Sequence, residues 1–238
     1  MTNRVLFRAA TLAERRDFYE NDFSIDRVKE WFSGRSLPQL CAVDAGSETG
    51  IIVDQKYKGK MLYFPFSQLK RKLRKYVPED VYYDRSIYAN PGKVLNNLKS
   101  RNYISQELAF DVDADNILCR HPDRSLGRER CISRAYAWSV KMKRALEREF
   151  TDIRMVYSGR GFHLHVLDER AFYLTVAQRE ALNKKYSSYP IDPWVSRGYI
   201  RLIRMPYSLH GVVSRIAMPV DDAKGFDREA TIPLFLRS

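Results

Sequence analysis

The sequence predicts an α/β (α+β) protein built around a β-α-β-β unit, with a mixed β-sheet flanked by helices. Two observations carry this prediction. Apolar and polar residues alternate in the short segments 107–113 and 162–167, as in strands with one buried face. Between these segments, apolar residues recur at helical spacing over 132–146. A helix that covers one face of such a sheet leaves the other face free to carry a site.

The N-terminal part is predicted to contain helices and short strands. Thr11 and Glu14 have the spacing of a capping box, and Ser24 is placed to begin a second helix. Ser67 is predicted to cap a basic helix that ends at Tyr76. Strands are predicted from β-rich runs at 40–44, 51–54, 61–65 and 81–88.

The C-terminal part continues the alternation of strands and helices. Strands are predicted at 153–158 and 162–167, joined by a glycine-containing turn. A helix over 175–186 follows, and the last strands are expected at 199–205 and 214–220. No linker divides the 238 residues, so we expect a single domain over 1–238, with N-terminal helices and strands at 1–105 and the core at 106–238.

The charge balance favours a polyanionic partner. The chain has 41 Lys and Arg against 29 Asp and Glu, a net charge of +12. Nucleic acid is the first candidate for such a partner. Eight basic residues and no acid lie between 56 and 76, and the predicted nucleic-acid contacts in this run are Lys70, Arg71, Lys72, Arg74 and Lys75. The alternative is an ordinary solvated helix face.

Three cysteines give no disulfide framework and indicate a reducing compartment. The N-terminus lacks the apolar core of a signal peptide, and no segment has the roughly 18 consecutive apolar residues of a membrane span. We therefore expect a soluble cytoplasmic protein without a membrane partner.

Asp111 and Asp113 are the first candidate site residues. They stand two residues apart at the end of the strand 107–113, where strand alternation aims both carboxylates at one side of the sheet. Magnesium prefers such hard oxygen ligands and completes its shell with water and substrate phosphates. An isolated pair of this kind is also common on strand faces that meet water.

A second candidate stretch runs from residue 157 to residue 165. Two glycines flank Arg160 at a strand-to-strand turn, where main-chain N–H groups, the Ser158 hydroxyl and the guanidinium can hold phosphate oxygens. His163 and His165 alternate with apolar residues, which places both imidazoles on one face. The candidate phosphate ligands are Ser158, Gly159, Arg160 and His163. A tight hairpin with two partly buried histidines is the alternative.

A third stretch spans residues 192–211. Arg204, Ser208 and His210 form a second cluster suited to phosphate, and Asp192 adds a carboxylate to the first pair. Cationic clusters near three acids are what a metal and triphosphate site requires. Asp192 could also be an acid that merely starts a turn before Pro193.

The segments 110–113, 157–163 and 201–211 resemble, in this order, the three signature motifs of the archaeo-eukaryotic primase superfamily, specifically the small catalytic subunit of DNA primase. The resemblance covers about residues 88–220. It implies an RRM-like catalytic core that joins nucleoside triphosphates on a single-stranded DNA template with bound Mg²⁺ or Mn²⁺. It also implies a primase large subunit as a partner.

Carried over by motif, Asp111, Asp113 and Asp192 would be the catalytic acids and metal ligands. The two clusters described above would hold the phosphates of the incoming nucleotide. The expected activity is the synthesis of short RNA primers. The alternatives are a stand-alone primase-polymerase for repair or for a mobile element, and an inactive nucleic-acid-binding relative.

The sequence departs from the family pattern in three places. Cys119, His121 and Cys131 stand where members commonly carry a zinc knuckle, but one of four ligands is missing, so the alternative is a loop whose arginines face nucleic acid. About two dozen residues separate Val166 from Asp192, where small subunits usually have a longer insertion. The Arg-Glu-Phe motif of the family is not recognisable around 42–54.

Overall fold

A computed structural model describes residues 7–100, 102–113, 116–117 and 128–237. Within these ranges the chain folds as two compact units. The first unit contains the described residues up to Tyr103 together with 202–218 and 227–237, and the second contains those of 104–201 and 219–226. The segment 106–238, predicted to form the core, therefore contributes to both units.

The strands of the described residues are short. They are β1 (Leu40–Asp44), β2 (Met61–Pro65), β3 (Asp80–Asp84), β4 (Ser86–Tyr88), β5 (Tyr103–Gln106), β6 (Leu108–Asp113), β7 (Ile153–Tyr157), β8 (Gly161–Val166), β9 (Leu202–Arg204), β10 (Leu209–His210), β11 (Arg215–Ile216) and β12 (Met218–Pro219).

The helices of the described residues are also short, except for the fifth. They are α1 (Leu12–Asp17), α2 (Ile25–Trp31), α3 (Leu69–Tyr76), α4 (Pro91–Asn96), α5 (Arg128–Leu146), α6 (Glu169–Phe172), α7 (Val176–Lys185) and α8 (Pro193–Ser196). A π-helical turn, Phe18–Asp22, follows α1 directly. No helix in the described ranges has the length and apolar character needed to cross a membrane.

The first unit is centred on a four-stranded sheet in the order β2-β1-β3-β9, with each neighbouring pair antiparallel. Strands β1 and β3 are almost entirely buried. Strand β1 is apolar from Leu40 to Val43, whereas the buried ends of β3 are the acids Asp80 and Asp84. A small antiparallel pair, β10 and β11, belongs to the same unit. The strand predictions for 40–44 and 61–65 are confirmed.

Local capping signals in the first unit are also confirmed. The Thr11 hydroxyl accepts the Glu14 N–H, and the Glu14 carboxylate accepts the Thr11 N–H, so α1 begins with a full capping box. Ser24 accepts the Arg27 N–H at the start of α2. The predicted cap at Ser67 is wrong, because a 3₁₀ turn (Phe66–Gln68) comes first and α3 begins without a side-chain cap.

Two strand predictions in the first unit need correction. Residues 51–54 form no strand: Arg15 donates to the Ile51 carbonyl (2.9 Å), so a side chain takes the place of a ladder partner. The predicted strand 81–88 is interrupted after Asp84, whose carboxylate accepts the Ser86 N–H (2.9 Å). A local side-chain bond of this kind competes with the strand and turns the chain.

The second unit contains the predicted β-α-β-β arrangement. Its sheet has the order β12-β7-β8-β6, and β8 pairs antiparallel with both β6 and β7. Phe110 and Val112 alternate with the acids of β6 and are fully buried, and α5 packs against β6, β7 and β8. The predicted helical periodicity is confirmed, since the buried residues of α5 include Ile132, Ala135, Ser139, Met142 and Leu146.

The predicted C-terminal elements are recovered in shortened form. Helix α7 is capped by Thr175, which forms a capping box with Gln178. The strand expected over 199–205 is limited to β9, and the one expected near 214–220 is divided into β11 and β12.

Candidate active site

The acid pair lies at the end of β6, on one face of the sheet in the second unit. Asp111 and Asp113 alternate with Val112 on β6, so both carboxylates project from the face opposite to α5. Both residues are partly exposed, whereas Val112 is fully buried. The structure therefore brings the two predicted metal ligands to one face, as strand alternation requires.

The two histidines of β8 differ in their surroundings. His163 is registered opposite Asp111, and its Nε2 atom lies 3.7 Å from Asp111 Oδ1. His165 is completely buried, and its Nδ1 atom lies 2.7 Å from Glu107 Oε1. His165 thus fits a histidine held inside the fold, whereas His163 sits beside the acid pair.

The predicted phosphate turn is a tight connection between β7 and β8. The Ser158 N–H donates to the Gly161 carbonyl (2.9 Å), and the Gly161 N–H donates to the Ser158 hydroxyl oxygen (3.2 Å). Gly159 adopts a φ of 106°, a conformation that favours glycine, and Arg160 completes the turn. Ser158 therefore holds the turn in shape and keeps a hydroxyl hydrogen that can be donated to an anion.

Gly161 also has to be a glycine, because its neighbours leave no room for a side chain. A Cβ atom placed on it would lie 2.8 Å from the Cα atom of Asp113 and would collide with the Val112 carbonyl oxygen. The close approach of β8 to the end of β6 therefore depends on the absence of a side chain. This places the turn of residues 158–161 directly beside the acid pair.

Asp192 joins the same region through its main chain. Its N–H donates to the Asp111 carbonyl (2.9 Å), and Ile191 forms a bridge with Val112. Its Oδ1 atom accepts the Trp194 N–H (2.8 Å), so the side chain caps the short helix α8. Asp192 therefore caps the turn at Pro193 with its side chain, and its main chain lies beside Asp111.

The acid pair fits a hard divalent cation. Magnesium is commonly bound by one or two protein carboxylates, with water and substrate phosphates supplying the other ligands. Within the described part of the chain, no group of three or more His, Cys, Asp and Glu is arranged to hold a metal ion. Two partly exposed aspartates on one strand face remain a suitable donor set for Mg²⁺ or Mn²⁺ when a nucleotide supplies further oxygens.

Of the three residues at the position of the family's zinc knuckle, Cys119 and His121 lie outside the described residues. Cys131 is buried near the start of α5.

The second predicted phosphate cluster lies in the first unit and surrounds a buried acid, Asp80. Arg204 and Asp80 form an ion pair, and His210 Nδ1 lies 3.2 Å from Asp80 Oδ1. Tyr82 donates its hydroxyl to Asp80 Oδ2 (3.1 Å), and Ser208 donates to the Met205 carbonyl (2.7 Å). The structure therefore brings Arg204 and His210 together at Asp80, and Ser208 is buried in the same unit.

The charges of this cluster are strongly coupled. Burial raises the pKa of Asp80, but the charges of Arg204 and His210 outweigh it and hold that pKa well below its usual range. Burial and the Asp80 charge raise the pKa of Tyr82, which keeps its phenol protonated. Asp80 therefore neutralises Arg204 and fixes its orientation.

Asp80 was not among the predicted site residues. It begins a strand whose pattern reads as ordinary β-structure, and its partner Arg204 is 124 residues away in the sequence. The same holds for Glu79, which forms a fully buried ion pair with Arg15 (3.3 Å). The available signal in the sequence was the pair Glu79 and Asp80 at the start of β3, which alone does not identify the partner of either acid.

The basic helix presents its predicted contacts on one surface. Lys70, Arg71, Arg74 and Lys75 are exposed, while Leu69 and Leu73 are buried. The ammonium group of Lys72 lies 5.5 Å from the centre of the Tyr76 ring. An amphipathic helix of this kind offers its cations to solvent or to a polyanion.

Comparison with known proteins identifies relatives for nearly the whole chain, although no protein-family model matches it. The chain is 35% identical to an uncharacterized DNA primase small subunit-like protein of Archaeoglobus fulgidus, over 97% of this chain and 92% of that protein. It is 28% identical to the DNA primase small subunit of Pyrobaculum aerophilum and 26% identical to that of Pyrococcus horikoshii. These matches cover 74% and 79% of this chain but only 59% and 52% of the relatives.

Among solved structures, the polymerase domain of ligase D from Mycobacterium tuberculosis in complex with DNA aligns with a TM-score of 0.46 and 16% identity. The alignment covers 90% of this chain and 82% of that domain. Family membership is decided by the sequence relatives. With 35% identity over almost the full length of both proteins, the chain belongs to the DNA primase small subunit family of the archaeo-eukaryotic primase superfamily.

Proposed function

We propose that this protein is a DNA-dependent nucleotidyltransferase that makes short RNA primers on single-stranded DNA from nucleoside triphosphates. The observation that carries the proposal is the arrangement of residues at the end of β6 in the second unit. There, Asp111 and Asp113 share one side of β6, and the turn of residues 158–161 is packed against the end of the same strand. Anionic and cationic groups are thus adjacent, as a nucleotide with bound metal requires.

In the proposed reaction, Asp111 and Asp113 hold Mg²⁺ or Mn²⁺, and Asp192 is the third acid. When bound there, the cations would lower the pKa of the attacking 3′-hydroxyl and neutralise charge on the leaving pyrophosphate. Asp192 is held near the pair by the bond from its N–H to the Asp111 carbonyl. The protein then needs no covalent nucleophile, because positioning and charge neutralisation supply most of the acceleration.

The remaining residues are assigned to phosphate and template. Gly159 and Arg160 offer a main-chain N–H and a guanidinium at the turn, while Ser158 and His163 flank them. Arg204, Ser208 and His210 are proposed to act on the triphosphate tail, with Asp80 as a positioning residue that keeps Arg204 in one orientation. The exposed cations of α3 are proposed to contact the phosphates of the DNA.

A stand-alone primase-polymerase that extends primers in repair or in a mobile element is the second candidate. One observation favours it: the connection between β8 and Asp192 contains only the short helices α6 and α7. The longer insertion that the family usually has there would be missing. A primase large subunit as partner belongs to the first candidate only.

The test is the incorporation of labelled nucleotide on a single-stranded template with magnesium or manganese. Ribonucleotides and deoxyribonucleotides are offered separately, with and without a primer. We expect the intact protein to incorporate nucleotide and the Asp111→Ala, Asp113→Ala double variant to lose this activity while it still binds DNA. Primer-free synthesis from ribonucleotides supports the first candidate, and primer-dependent synthesis supports the second. An intact protein as inert as the double variant, but still bound to DNA, would show a nonenzymatic binding protein.

A further inference from the structure

Two exposed aromatic rings stand next to the third acid. Trp194 and Tyr199 are 56% and 53% exposed, and their ring centres are 5.7 Å apart with an angle of 54° between the ring planes. Large aromatic side chains are usually mostly buried. Adjacent exposed rings form an apolar patch of the kind found at interaction and ligand-binding sites. None of the roles assigned above uses these residues.

The aromatic pair is held in place by the main chain. The Ile200 N–H donates to the Trp194 carbonyl (3.3 Å), which closes the loop between the two rings. Gly198 adopts a φ of 85°, and its carbonyl accepts the side-chain amide of Gln106 (3.3 Å). A loop fixed in this way has little ordering entropy to lose on binding.

The pair is also tied to the acids. The Trp194 N–H donates to Asp192 Oδ1 (2.8 Å), and the Asp192 N–H donates to the Asp111 carbonyl (2.9 Å). Two consecutive hydrogen bonds therefore connect the main chain of Trp194 with the strand that carries the acid pair. A ligand stacked on Trp194 would lie close to the proposed reaction centre.

A groove of about 530 Å³ adjoins the rings. Pro193 lines the groove and immediately precedes Trp194, and Glu180, which also lines it, accepts the Tyr199 hydroxyl (3.4 Å). Lys184 and Arg197 contribute positive charge to the lining. Within the described residues, the Nε atom of Arg197 is buried without a hydrogen-bond partner.

We propose that Trp194 and Tyr199 stack on bases of a single strand of nucleic acid whose phosphates run past Lys184 and Arg197. Exposed rings beside a positively charged groove are the combination with which proteins bind single strands independently of sequence. The open groove suits a strand that enters and leaves it better than a mononucleotide enclosed on all sides. The inference rests on the proposed function in one respect: it takes this strand to be the template.

The first test measures the binding of fluorescein-labelled oligo-dT by anisotropy, beside an abasic oligonucleotide of equal length. Trp194→Ala and Tyr199→Ala should each weaken the affinity for oligo-dT by about 5- to 100-fold, because each removes one stacking surface. The preference of the intact protein for oligo-dT over the abasic strand should disappear in the double variant. Trp194→Phe should retain most of the affinity. Tyr173→Ala, which removes an exposed ring elsewhere in the same unit, should bind like the intact protein.

The second test separates the rings from the charges. Lys184→Ala and Arg197→Ala should each lower the slope of log K against log salt concentration by about 0.7, the value for one phosphate contact on a single strand. Trp194→Ala should weaken binding but leave this slope unchanged, because stacking releases no counterion. A slope that changes equally in all three variants would contradict the assignment.

The proposal is overturned if Trp194→Ala and Tyr199→Ala bind oligo-dT as the intact protein does and keep its preference over the abasic strand. The exposed rings would then fit a protein partner instead. These measurements contain neither nucleoside triphosphate nor divalent metal, so they do not depend on catalysis. If the intact protein incorporates no nucleotide but the ring variants bind oligo-dT more weakly, only the proposed function is refuted. If the intact protein incorporates nucleotide and the ring variants bind oligo-dT as it does, only this inference is refuted.

Discussion

Two acidic clusters of the protein differ in how deeply their carboxylates are buried. In the first unit, Asp80 is 4% exposed and is paired with Arg204 and His210. In the second unit, the side chain of Asp111 is 21% exposed, Asp113 projects from the same strand face, and the imidazole of His163 lies 3.7 Å from Asp111.

This difference separates structural acids from acids suited to a ligand. A buried carboxylate surrounded by the cations of its own chain is part of the fold, and removal of one partner leaves buried charge behind. Two carboxylates close together on a partly exposed face repel each other, and a divalent cation relieves that repulsion. The stability of the fold should therefore depend on Asp80 far more than on Asp111 or Asp113.

The two acidic clusters should differ most in their contribution to the free energy of unfolding. Asp80→Ala leaves the buried charge of Arg204 without its acid and should lower the free energy of unfolding by about 3–5 kcal/mol. Asp111→Ala should change it by less than about 1 kcal/mol, because the carboxylate is partly exposed. Urea unfolding of both variants measures the difference. Equal losses would show that both acids belong to the fold.

A smaller effect tests how the acid pair is placed. Gly161→Ala puts a Cβ atom against the Val112 carbonyl and the Asp113 Cα atom, so β6 and β8 must separate. We expect a loss of about 1–3 kcal/mol in unfolding free energy and a strong loss of nucleotide incorporation.

Gly92→Ala is the matched control, because a Cβ atom there meets no main-chain atom and lies 3.3 Å from the Asn90 side-chain oxygen. Its stability should stay within about 0.5 kcal/mol of the intact protein. A Gly161→Ala protein with full activity would mean that the acid pair tolerates a shift of the turn.

The same contrast explains which parts of the molecule could be predicted from the sequence. Several signals between neighbouring residues were reliable: the capping box of Thr11 and Glu14, the helical spacing of α5 and the alternation of β6 all follow from local geometry. The predicted cap at Ser67 was not, because a 3₁₀ turn precedes α3. The shared strand face of Asp111 and Asp113 belongs to the reliable signals, because one strand defines it.

Features that depend on distant partners could not be predicted. The segment 51–54 has a strand-like composition, but the buried Arg15 bonds to its main chain across 36 residues. Arg204 was predicted as a phosphate ligand from its neighbours in the sequence, although its carboxylate partner Asp80 lies 124 residues away. Periodicity describes which face a residue occupies, but not which residue from elsewhere in the chain it meets.

The two acidic clusters should also differ in whether they are needed for stabilisation by Mg²⁺. If the acid pair binds Mg²⁺, a concentration ten times the dissociation constant should stabilise the folded protein by about 1.4 kcal/mol. The Asp111→Ala, Asp113→Ala double variant should lose this gain, whereas Asp80→Asn should keep it. Urea unfolding with and without magnesium measures both. A gain that persists in the double variant would place the metal elsewhere.

The smallest expected effect concerns acid pH. Because the pKa of Asp80 is held below its usual range, its contribution to stability is complete above the pKa of the unfolded chain, about 3.9, and is lost as the pH falls towards the folded-state value. Between pH 7 and pH 3.5 this single group should cost the intact protein about 0.7 kcal/mol of unfolding free energy. Asp80→Asn has no carboxylate to protonate, so its stability should fall by about that much less over the same interval. Parallel losses in urea unfolding at the two pH values would mean that the Arg204 and His210 contacts do not act on Asp80 through charge, and the contrast between the two clusters would then be one of burial alone.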